Sequence, residues 1–132
     1  MTTDALGRPD VGEYNEYYAR YIALVPEGGI VETLEREMEA TQALLASVPA
    51  QREEYRYAPG KWSLREVVGH LIDTERLFAF RALWFARGGG GELAGMDQEV
   101  WARASTAGTR PLAELAEEWR SLRRANVLMF AS

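Results

Sequence analysis

The chain has 132 residues, 47% of them hydrophobic, and carries 15 Lys and Arg against 20 Asp and Glu for a formal charge of −5; this suits one domain, residues 1–132, with a packed core. Its basic residues are interspersed with acidic ones, which argues against nucleic acid as a partner, and the lack of cysteine removes disulfides, thiolate metal ligands and a cysteine nucleophile together. No apolar run approaches the roughly 18 residues of a membrane span, and MTTDALGRPD has neither the basic nor the apolar region of a signal peptide, so a cytoplasmic protein without a membrane partner is expected.

In VGEYNEYYARYIALVP, Tyr14, Tyr17, Tyr18 and Tyr21 recur at helical spacing. They predict a short helix closed by Pro26, with the tyrosines as a packing stripe. GGIVETLEREMEATQALLASVP places Val31, Leu34, Met38, Thr41, Leu45 and Val48 on one face of an amphipathic helix that ends by Pro49. Ser63 and Glu66 then form an S-x-x-E capping box. A long helix is expected from there to about Arg87, where GGGG supplies left-handed backbone. MDQEVWARA reads as a short helix capped by Asp97, with Val100, Trp101 and Ala104 inward. The last predicted helix, PLAELAEEWRSLRRANVLMF, aligns Leu112, Leu115, Trp119, Leu122 and Met129, with Pro111 suited to its first turn.

Three amphipathic helices and no strand pattern define an all-α class. An up-down bundle usually closes with a fourth helix, and the apolar Leu128, Met129 and Phe130 lie at the end of the sequence. The expectation is a bundle whose last helix is missing by truncation or replaced by a partner, with a homodimer as the favoured assembly.

On a wheel of about 100° per residue, Leu64, Val67, Val68, Leu71, Phe78, Ala82 and Phe85 fall within roughly 60° of one direction, the expected core face of the long helix. Glu75 lies near its centre, so it needs an internal partner, an arginine or a tyrosine hydroxyl, or a role in a site. His70, the single histidine, lies about 120° from that centre. At this margin it reads either as a packing residue or as a ligand, with Glu66 or Asp73 close enough in sequence to orient its ring. GGGG is no phosphate loop, lacking a preceding strand and a following G-K-[ST], and no G-x-S-x-G is present. EREME and EEWRSLRR read as solvated faces with i,i+4 charge pairs.

YRYAPGKWSLREVVGHLIDTERLFAFRALWFARG, preceded by YNEYYARYIALVPEGGIVETLE, resembles the DinB / YfiT-like superfamily over nearly the whole chain, and the GKWS…GHL.D.E combination is specific. The resemblance implies a DinB-like four-helix bundle, often dimeric, with a divalent metal, commonly nickel or zinc, held by three histidines. It implies a hydrolase, or a transferase using a low-molecular-weight thiol, acting on a small molecule. The first family histidine matches His70, and Glu75 matches the glutamate of the D-T-E run. The H-x-x-x-H pair of the family's last helix has no counterpart here, which leaves the metal site incomplete. A metal-free small-molecule binding protein, with the tyrosine stripe and Trp84 or Trp101 as apolar walls, is the alternative, and a structural dimeric bundle is a third.

Overall fold

A computed structural model describes residues 7–132. Helix α1 (Ala19–Ile22) follows two 3-10 turns, Val11–Glu13 and Glu16–Tyr18; α2 spans Ile30–Ala46, α3 Leu64–Ala86, α4 Gln98–Ala104 and α5 Leu112–Phe130. Further 3-10 turns cover Ala50–Arg52 and Ala107–Thr109, and no strand occurs among the described residues. The all-helical class is as expected, and no described helix is long and apolar enough to cross a membrane.

Caps set the ends of the helices. Ser63 accepts the Glu66 amide, and the Glu66 carboxylate accepts the Ser63 amide at 2.7 Å, closing the capping box at the start of α3. After Ala86 the chain turns through Gly88 at φ 83, a left-handed angle that glycine adopts without a Cβ penalty. Asp97 caps α4 through the amides of Glu99 and Val100. No side chain of its own segment caps α5. Glu53, far away in sequence, supplies the acceptor, taking the Leu112 amide at 3.1 Å.

Helix α5 is the centre of the bundle, packing on both α2 and α3. Met38 and Leu45 of α2, Val68 and Ile72 of α3, Ala107, and Leu112, Leu115, Ala116 and Trp119 of α5 form the core. Polar contacts give the register. Glu35 meets Arg124, Glu39 meets Arg120 and Gln42 donates to the Ala116 carbonyl, so α2 and α5 run antiparallel. Arg76 meets Glu118 and Glu75 meets Arg123, while Gly69 lies against Ala107 just before α5, so α3 and α5 run parallel. The connector 87–111, which carries α4, returns the chain along the bundle and makes this order possible.

Three sequence readings are corrected. Tyr17, Tyr18 and Tyr21 do not pack inward but form an exposed cluster, with the Arg20 guanidinium 4.7 Å from the Tyr17 ring centre. Their segment is mostly 3-10 turns, and α1 is a single turn that presents no face to the core. In α3 the buried side is Val68, Gly69 and Ile72, whereas Val67, Leu71, Phe78 and Phe85 are exposed, Phe78 to 57%. The buried arc is therefore rotated toward Ile72, where α5 and the Ala107 turn press on the helix. The charges of EREME and EEWRSLRR are largely solvated, as expected, but their partners are not i,i+4 neighbours: they link α2 to α5 and α3 to α5. The exposed pairs among them contribute little each.

Candidate functional site

The residues singled out on α3 part company in space. Glu75 turns into the α3–α5 contact, where Arg123 donates to both its oxygens at 2.8 and 3.0 Å and Asn126 donates at 3.0 Å. Burial opposes its ionisation, yet the hydrogen bonds from Arg123 and Asn126 outweigh that and hold the carboxyl below the usual glutamate range. Arg123 also lies 4.8 Å from the Trp119 ring centre. Glu75 is thus the internal acid–arginine pair, a structural group rather than part of a site.

Glu66 does not orient His70. Its carboxylate is taken by Arg56, at 2.7 and 3.0 Å, and by the Ser63 amide. The His70 ring instead lies against Trp62, tilted by 50° with centroids 5.0 Å apart. The K-W-S entry to α3 thereby places an indole against the histidine about two turns on. Asp73 forms no hydrogen bond to the imidazole among the described residues; it lines a cavity.

That cavity, about 580 Å³, lies between α3, α4 and the start of α5. Ile72, Val100, Trp101, Ala104 and Ala107 give it apolar walls, and Asp73, Ser105, Thr106, Arg110 and Glu118 bring polar groups to it. Its floor exists because residue 69 has no side chain: a Cβ there would overlap that of Ala107. The expectation that Val100, Trp101 and Ala104 face inward is met only as far as this cavity, since Val100 and Trp101 stay 49% and 41% exposed. Both side chains line the cavity between α3 and α4, and among the described residues no further element covers them.

The rim is a charge network. Arg76 and Arg110 each donate to Glu118, at 2.6 and 2.8 Å, and Arg110 also donates to Glu114 at 2.7 Å. Hydrogen bonding from Arg76 above all, and from Arg110, keeps the Glu118 carboxyl below its ordinary value. Asp73 behaves oppositely. Burial pushes its carboxyl up, against the weaker opposing fields of Arg76 and His70. Of the two tryptophans named as possible apolar walls, Trp101 lines the cavity and Trp84 does not; Arg110 and Glu118 are not legible as site residues, because periodicity gives no sign that the connector brings the start of α5 to α3 and α4.

The described donors do not fit a three-ligand nickel or zinc centre. Such a centre takes three or four histidine, cysteine or carboxylate ligands. Here there is one histidine and no cysteine, Glu66 is committed to Arg56, and no group of three or more His, Cys, Asp or Glu side chains among the described residues is placed to hold an ion.

A family model for the DinB superfamily matches residues 33–132, well over half of the chain. Neither the curated proteins nor the solved structures contain a match.

Proposed function

The chain belongs to the DinB superfamily, and from that premise we propose that it binds a small organic molecule in the cavity between α3, α4 and α5. One observation carries this reading: a cavity of about 580 Å³ lined by apolar side chains and a few polar groups. That size and lining are those of small-ligand sites. Trp101 offers the ligand a ring, and hydrogen bonds to Glu118 from Arg76 and Arg110 hold the polar lining residues Glu118 and Arg110 in place.

The reading is tested by a thermal-shift screen of small organic compounds on the wild type and on Ala104→Phe, which fills the cavity from α4. Compounds that raise the melting temperature of the wild type and not of the variant support it. Compounds that act equally on both, or an absence of hits, overturn it.

A second reading, the metal-dependent hydrolase or thiol-dependent transferase implied by resemblance, is favoured by His70, whose imidazole forms no hydrogen bond among the described residues. It requires the remaining ligands to come from outside the described set. Elemental mass spectrometry of untagged protein, with intact mass on the same sample, separates the two readings. One bound divalent ion per chain, lost in His70→Ala, supports the enzyme reading; metal-free protein that still binds ligand supports the binding reading.

A further inference from the structure

The charges around the cavity are paired in all but one case. Glu118 accepts from Arg76 on one oxygen and from Arg110 on the other. Arg110 spends its Nε on Glu114 and one terminal nitrogen on Glu118. Two guanidinium groups and two carboxylates therefore balance one another. Asp73 is left over: among the described residues it accepts no hydrogen bond from a side chain and joins no ion pair, and Arg76, its nearest cationic influence, is tied to Glu118.

A half-buried, unpaired carboxylate beside Ile72, Val100 and Trp101 costs free energy, because the apolar walls take part of the water that would solvate it. The same burial pushes the Asp73 carboxyl above the ordinary aspartate range, disfavouring its ionised form. A ligand that brings a positive charge removes it, forming a charge-assisted hydrogen bond where water is partly excluded. The indole of Trp101, which also lines the cavity, adds an aromatic ring of the kind that attracts cations. An anionic ligand would be repelled by Asp73 and would find the guanidinium groups already engaged. A neutral one would leave the carboxylate unpaired.

Building on the small-molecule reading above, we propose that the cavity takes a small organic cation, a protonated amine on an apolar body, with the ammonium on the Asp73 carboxylate and the apolar body along Trp101, Val100 and Ile72. No covalent step is involved. The selectivity rests on one uncompensated charge beside apolar walls.

The test uses the full chain and three probes of one shape: 2-phenylethylamine, 2-phenylethanol and 3-phenylpropanoate. Binding is read from the indole N–H signal of Trp101 in nuclear magnetic resonance spectra, assigned with Trp101→Phe. The amine is expected to bind about tenfold or more tighter than the alcohol, the carboxylate weakest, with Asp73→Asn abolishing the preference. Equal binding of amine and alcohol, or an amine preference that survives in Asp73→Asn, overturns the cation assignment and leaves the small-molecule reading standing. No response of Trp101 to any of the three probes overturns both. Because the comparison among probes is made on the wild type, the assignment is testable even if a variant fails to fold.

Discussion

Gly69 and Ala107 meet where α3 crosses the 3-10 turn before α5, so closely that a methyl group on residue 69 would overlap the Ala107 Cβ. The contact joins the core to the cavity, since both residues line it. Gly69→Ala gains about 1 kcal/mol of helix propensity but forces apart a packed contact at about 1–3 kcal/mol. The expected net result is a loss of stability of up to about 2 kcal/mol by urea unfolding. Adding Ala107→Gly should recover most of that loss, since the two substitutions act on one contact.

The Glu75–Arg123 pair should matter more than any surface pair. Their side chains are 14% and 15% exposed, between the surface and fully buried cases, so Glu75→Gln is expected to cost about 2 kcal/mol at neutral pH. The pH dependence follows from the sign. The folded carboxyl is held below the ordinary glutamate value, so its contribution is present above that value and is lost as pH falls through the folded one. Urea unfolding from pH 7 to 3 should therefore show the gap between wild type and variant closing in acid.

Glu53 joins three segments: Arg65 donates to its Oε2 at 2.7 and 2.9 Å, and the Leu112 amide donates to the same oxygen at 3.1 Å. With no local side-chain cap on α5, Glu53→Ala should cost about 1 kcal/mol or more, the usual loss for a helix cap. Amide exchange of the first turn of α5 should accelerate more than that of its middle.

Asp73→Asn is expected to have the opposite effect from these core changes. Its folded carboxyl is raised by burial, so ionisation above the ordinary aspartate value disfavours the folded state, a penalty fully present at neutral pH and absent in strong acid. The variant should melt at a higher temperature than the wild type at pH 7 and at the same temperature below the aspartate range. A protein that gives up stability to keep a carboxylate is what a ligand site requires.

The homodimer expected from the sequence is tested on the exposed side of α3. Val67, Leu71, Phe78 and Phe85 form an apolar stripe there, Phe85 54% exposed. Phe78→Glu should lower the mass by light scattering if a second copy covers the stripe; an unchanged mass would remove the stripe from any interface.

The helices were legible because their signals are local. Ser63 with Glu66, Asp97, Pro111 and the glycines after Arg87 each act within one turn of chain. The rotation of α3 was not legible. Its apolar residues span a wider arc than one neighbour covers, and a helical wheel gives no weight to Gly69, although the missing side chain is what lets Ala107 close in. Glu75 could be read as needing an internal partner, but the identity of that partner depended on Arg123 standing beside it in the parallel register of α5. The cavity was out of reach for the same reason. Asp73, Trp101 and Glu118 come together only through the return of the connector, which periodicity does not encode.

The most direct measurement is the carbon-13 shift of the Asp73 carboxyl group during titration with 2-phenylethylamine at neutral pH, assigned with Asp73→Asn. The account predicts that it moves in step with the Trp101 indole signal along one saturating curve. A carboxyl signal that stays fixed while the amine binds, or a Trp101 signal that moves without it, would contradict the account.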